Sequence, residues 1–153
     1  MAHFAELDEN NKVLRIIVVA NTDVTDNGGD QSTAAEDFVK TIVPFSTNGK
    51  SWKQASYNNN FRKEFATVNG TYDSDKDKFI QPQPEGDGWT VNNDGDWVEP
   101  DGYPSKKTYS HESVDVPWSI GWNSGTSKWT GVQMKIDENK VWTWNNSSED
   151  WEE

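Results

Sequence analysis

The chain has no cysteine. That one absence excludes disulfides, thiol nucleophiles and thiolate metal sites together. Leucine is nearly missing too. Two Leu stand beside six Ile, thirteen Val and six Phe, 27 of 153 residues, below the roughly 20% that with high net charge marks a disordered chain. Basic residues are outnumbered, 14 against 26 acids for a net charge of −12, so there is no basic face for phosphates and nucleic acid is not an expected partner. No apolar run approaches the ~18 residues of a membrane span. Asp8-Glu9-Asn10-Asn11 also interrupts the N-terminal apolar run too early for a signal peptide. The expectation is a soluble chain without membrane contact, made in a reducing cytoplasm, in which the sequons at Asn69, Asn145 and Asn146 carry no weight.

The elements of common catalytic sites are missing as well. His3 and His111 are the only histidines, and no Ser-His-Asp order, Gly-x-Ser-x-Gly elbow, His-Glu-x-x-His or phosphate loop is present. Gly49-Lys50-Ser51 lacks the upstream Gly of a Walker loop. Asp73, Asp75 and Asp77 alternate as calcium ligands do, but Lys78 and Pro84 stand where an EF-hand needs Gly and Glu. Asp94 and Asp96 around Gly95 read as turn residues on the same grounds. With 26 acids, no single carboxylate pair singles out a glycosidase site. The expectation is a protein with no catalytic residue, no cofactor and no metal; an enzyme would need a polar cleft with converging carboxylates.

What is present is tryptophan: nine, with four Tyr. Disordered chains lack such residues, so a folded domain is expected in which rings replace aliphatics. Three octets share a form: Tyr72-Asp73-Ser74-Asp75-Lys76-Asp77-Lys78-Phe79, Trp122-Asn123-Ser124-Gly125-Thr126-Ser127-Lys128-Trp129 and Trp144-Asn145-Asn146-Ser147-Ser148-Glu149-Asp150-Trp151. Folded around a two-residue central turn, each octet brings its end rings directly opposite, with Cβ atoms about 5 Å apart. Such a pair is worth ~0.5–1 kcal/mol beyond burial.

Along the chain, residues 3–7 and 13–20 flank turn formers and read as a hairpin. The β-branched second run reads as a strand covered on both faces and the central one of its sheet. Residues 21–30 read as turn-rich. Thr33 with Glu36 fits a capping box, and Ala35, Phe38, Val39 and Ile42 form one stripe, so a single short helix over about 33–43, ended by Pro44, is predicted to lie on the sheet. Residues 51–57 read as a strand, and 61–68 as strand or helix. Asp94-Gly95 suits a type I′ hairpin turn between Trp89-Thr90-Val91 and Trp97-Val98. The stretch from Pro100 to about Val116 reads as a linker or surface loop. A hairpin of Met134-Lys135-Ile136 with Val141-Trp142-Thr143 around residues 137–140 follows, within a Trp-bearing meander. The fold expected is mostly β, a series of antiparallel hairpins with one short helix packed on an N-terminal sheet. Residues 1–104 and 105–153 form two regions, or one continuous domain.

An ordered set of motifs adds to this: Met1-Ala2-His3-Phe4-Ala5-Glu6-Leu7, Val13-Leu14-Arg15-Ile16-Ile17, Ser51-Trp52-Lys53-Gln54-Ala55-Ser56-Tyr57, Arg62-Lys63, Thr71-Tyr72-Asp73, Phe79-Ile80, Pro82-Gln83-Pro84, Trp89 and Trp97. In this set the chain resembles small virion-associated proteins of tailed bacteriophages, marine and cyanobacterial ones especially, over about residues 1–100. It departs from their pattern at Ala66-Thr67-Val68-Asn69-Gly70 and at Pro84-Glu85-Gly86-Asp87-Gly88. The resemblance implies a particle component found in the virion and assembled in the host cytoplasm, with phage coat or tail proteins and further copies of itself as partners. The candidate partner-contact or ring-stacking residues are Tyr72, Phe79, Trp89, Trp97, Trp122, Trp129, Trp144 and Trp151. The role expected is decoration or cementing of the capsid. The alternative is a tail or tail-fibre component that binds carbohydrate, and it requires an open row of rings among Trp122, Trp129, Trp144 and Trp151.

Overall fold

The computed structural model describes all 153 residues and is mostly β, 39% strand and 10% helix, in antiparallel sheets with two short helices. The chain forms two compact units, Met1–Gln83 with Val91–Asp96, and Pro84–Thr90 with Trp97–Glu153. The division thus falls earlier than residue 105. The chain leaves the first unit after Gln83, returns to it for Val91–Asp96 and enters the second again at Trp97; β6 (Thr90–Val91) and β7 (Trp97–Val98) pair as a short ribbon.

In the first unit, β1 (Ala2–Leu7) lies between β2 (Val13–Val19) and β3 (Ser51–Ala55). The central strand is therefore β1, not the β-branched β2, whose Val18 is half exposed. Alternate β1 side chains reach opposite faces. Ala2 and Phe4 join Val19, Val24, Ala35, Val39 and Trp52, whereas Ala5 and Leu7 join Val13, Ala55, Tyr72 and Phe79. Composition reported how β-rich β2 is, but being covered on both faces depends on neighbours. The β1–β2 turn is tied by Asp8, whose carboxylate accepts the N–H of Asn10 (2.8 Å) and of Lys12 (2.9 Å).

Two helices cover one face. The first, α1 (Asn21–Asp26), was hidden among turn formers and is pinned by the buried Val24. The second, α2 (Thr33–Ile42), is capped by Ser32, whose Oγ accepts the Ala35 N–H at 3.0 Å, so the cap lies one residue before the one expected. Ala35, Val39 and part of Phe38 face the sheet, while Ile42 is half exposed. Val43 is extended, as a residue before proline prefers. Residues 61–68 form neither strand nor helix; Arg62 and Lys63 sit consecutively in the left-handed region at φ 54° and 66°. The hairpin of β4 (Thr71–Asp73) and β5 (Lys78–Ile80) completes the second face. In the turn Asn92–Asp96 only Gly95 has positive φ, and Asn92 Oδ1 accepts two N–H groups at 2.9 Å. A type I′ turn needs two such residues, so this turn instead ends on one left-handed Gly.

The second unit holds a hairpin and a meander. Residues read as a loop form β8 (Thr108–His111) and β9 (Val114–Pro117), joined by Glu112 and Ser113 at φ 50° and 64°. Two left-handed residues are the type I′ pattern, but filled without the Gly or Asn that would announce it. Four strands follow in chain order: β10 (Ser119–Asn123), β11 (Lys128–Gln133), β12 (Asp137–Asn145) and β13 (Asp150–Glu152). The β11–β12 turn is Met134–Ile136, and a register shift after Val132 draws Asp137–Lys140 into the strand. The hairpin is therefore displaced from the one expected, because the ladder places Trp142 opposite Gly131.

Candidate functional site

The three octets fold as hairpins with their end rings paired: Tyr72 opposite Phe79, Trp122 opposite Trp129, Trp144 opposite Trp151. Ring centroids are 5.2, 4.9 and 5.2 Å apart. The loops are four residues long rather than two. The Asp or Asn at the second position explains this. Asp73 Oδ1 accepts the N–H of Asp75 and Lys76, Asn123 those of Gly125 and Thr126, and Asn145 those of Ser147 and Ser148. Each loop then leaves through a left-handed residue, Asp77 (φ 50°), Ser127 (51°) or Glu149 (51°).

The registers of β10 to β13 place Trp122, Trp129, Trp144 and Trp151 in one row across one face of the sheet. Gly131 and Trp142 share that face. A Cβ on Gly131 would lie 2.9 Å from the Trp151 ring and 3.0 Å from that of Trp118, so the bare Gly is what lets those indoles settle on the strand. Tyr103 packs edge-on to Trp129 (4.8 Å), Trp89 packs on Tyr103 (5.3 Å), and Trp118 lies 4.9 Å from Trp151. Trp151 Nε1 donates to the Lys106 carbonyl at 2.8 Å. The row exists, but the chain itself covers it: Trp129, Trp144 and Trp151 are each 6% exposed. Tyr72 and Phe79 are buried as well. These five rings are packing residues, with little surface left for a partner or a sugar. Trp89, Trp97 and Trp122 remain partly exposed.

In the first unit the octet anchors a network that sequence patterns did not reveal. Arg62 Nη1 donates to Glu36 Oε1 (2.7 Å) and to the Gln54 carbonyl (2.9 Å), and its Nε donates to Asp77 Oδ1 (2.8 Å). Lys53 reaches the other Glu36 oxygen at 2.8 Å. The Tyr72 hydroxyl donates to Asp77, and Arg62 lies over the Tyr72 ring. Burial, then the Asp77 contact, pushes the Tyr72 hydroxyl well above its ordinary range. Partial burial works against ionised Asp77, but the Tyr72 hydrogen bond and the Arg62 guanidinium hold its carboxyl below the usual value. Glu36 is thus an internal counter-ion rather than a helix cap. The alternating aspartates do not converge, since Asp73 ties its turn and Asp77 faces Arg62. No group of three His, Asp or Glu side chains is placed to hold a metal ion. His3 stacks on Tyr57 (5.4 Å) and meets Phe65 edge-on, while His111 closes the β8–β9 turn opposite Val114.

No family model, no curated protein and no solved structure matches this chain. The surfaces open to a partner must therefore be judged on their own chemistry. Two stand out in the second unit. The β11–β12 hairpin leaves large apolar side chains open, Met134 (55%) and Ile136 (55%) in its turn and Val141 (57%) on β12, on an acidic chain. A groove of about 530 Å³ also opens beside the octet loops, with Trp122, Lys128, Thr143, Asn146, Asp87 and Asp101 in its lining.

Proposed function

We propose that this protein is a structural component of a tailed-phage virion that decorates or cements the capsid surface. The observation that carries the reading is the β11–β12 hairpin, where Met134, Ile136 and Val141 each leave more than half of their surface open while most of the indoles are turned inward. Each is already nearly half buried, so covering the rest against a coat protein would contribute about half of the ~1.5–3 kcal/mol of a full burial. The hairpin alone is too small for a lasting interface, which needs well over ~1,000 Å². Contacts from further copies of the chain would supply the rest, with the acidic residues facing water. The motif set over residues 1–100 supports the particle as the setting. The partners are coat proteins and sister copies, and the role requires no reaction.

Mass spectrometry of purified particles tests this directly. A copy number matching the coat lattice is the expected result; one matching the tail would move the protein there, and absence from particles overturns the proposal. Ile136→Asp with Val141→Asp should abolish incorporation while leaving the circular dichroism of the free protein unchanged.

A further inference from the structure

We infer that the groove of the second unit is a saccharide site, taking one or two rings of a neutral hexose or N-acetylhexosamine chain. The inference does not depend on the capsid role. The volume, about 530 Å³, lies in the range of small-ligand sites. Its aromatic lining is Trp122, Trp129 and Trp144, and of these Trp122 is the one that the chain leaves partly open. Trp122 packs on Trp129 at 4.9 Å and 62°, so its orientation is set before a ligand arrives. An indole held this way offers a flat apolar face to the C–H side of a sugar ring.

The polar groups around it are of both kinds. The Asn146 amide and the Thr143 hydroxyl donate and accept, the Asp87 and Asp101 carboxylates accept, and the Lys128 ammonium donates. None of these side chains has a partner within the chain. Sugar hydroxyls also both donate and accept, and such a set can satisfy them in pairs. Position is built in as well. Neighbouring Asn145 is fixed by its turn bonds and by donating to Glu152 at 2.7 Å, which leaves Asn146 to project from the loop. Gly102, at φ 78°, keeps room for the Asn146 amide, since a Cβ there would stand 3.0 Å from Nδ2. Four carboxylates (Asp87, Asp101, Glu152 and Glu153) against one lining ammonium, on a chain of charge −12, disfavour sialylated, uronic and sulfated sugars.

Titration of the full chain with N,N′-diacetylchitobiose, maltotriose and sialyllactose, followed by calorimetry and indole fluorescence, tests the assignment. The expected result is saturable binding of at least one neutral sugar and none of sialyllactose. Trp122→Ala should weaken it about tenfold and Asn146→Ala about threefold, with Trp122→Phe between wild type and Ala. Because Trp122 also packs on Trp129, the exposed Asn146 variant serves as the test that leaves the fold alone. No binding of either neutral sugar, equal binding by Asn146→Ala, or a preference for sialyllactose would each overturn the proposal. Particle incorporation of Asn146→Ala should be unchanged, which separates this site from the decorating role.

Discussion

The two units close a sheet in different ways. The first lays a helix on one face and a hairpin on the other. Its core is mostly small and aliphatic, and every buried polar or charged side chain of the protein lies in it: Glu6, Glu36, Gln54, Ser56 and Arg62. The second has no helix, and its buried hydrophobic core is Tyr109, Trp118, Trp129, Trp144 and Trp151. Directional bonds among Glu36, Gln54, Arg62 and Asp77 hold the first arrangement. Apolar area and ring-on-ring geometry hold the second. A chain with two leucines thus makes two cores from different materials, and the two should fail under different insults.

Removing a ring gives the largest expected effect. Trp151→Ala deletes contacts to Trp144 and Trp118 and the bond to Lys106, and should cost about 3–5 kcal/mol. Urea unfolding followed by near-ultraviolet circular dichroism measures it. Hydrogen exchange of β1 amides should stay unchanged; equal loss of their protection would break the distinction between the cores. Next is Glu36→Gln, which leaves buried Arg62 with Asp77 as its remaining carboxylate partner and should destabilise by about 1.5–3 kcal/mol. Adding Arg62→Met should recover part of that, because the under-paired charge is then gone too. Titration comes third. Asp77 is held below its ordinary value, so its contribution is complete above about pH 4 and is lost as pH falls through the folded value. Tyr72 is pushed up, so its contribution is complete below about pH 10 and fades as pH rises. The first unit should therefore show a flat stability plateau between these limits, and Tyr72→Phe should remove the alkaline slope. The smallest effect is a gain: Ser127→Gly relieves a left-handed non-glycine and should stabilise by about 0.5–1 kcal/mol, read from the urea midpoint.

The octets were legible because the register of a hairpin depends on counting. Rings seven positions apart face each other whether the loop holds two residues or four. Loop conformation was not legible in the same way. It follows from the side chain of Asp73, Asn123 or Asn145 reaching two N–H groups, while the next turn, at Glu112-Ser113, has residues that usually signal no hairpin at all. The place of a strand in its sheet escaped too, since β2 is rich in β-branched residues yet lies at the edge. Glu36 fits a capping pattern, and only the approach of Lys53 and Arg62 from distant segments reveals it as a counter-ion. At the candidate site, Trp122 could be singled out from its octet. Asn146 is in the third octet and Asp87 and Asp101 are in turn-rich stretches, so no local pattern ties them to Trp122, and folding alone assembles them around it.

Indoles a few ångströms apart and steeply inclined couple their electronic transitions. Trp122 with Trp129 and Trp144 with Trp151 stand at 62° and 66°. The protein therefore carries a built-in optical signature, an exciton couplet in its far-ultraviolet dichroism. Its amplitude would report whether the clasped ribbons are intact in any buffer, variant or assembled particle, without an added label.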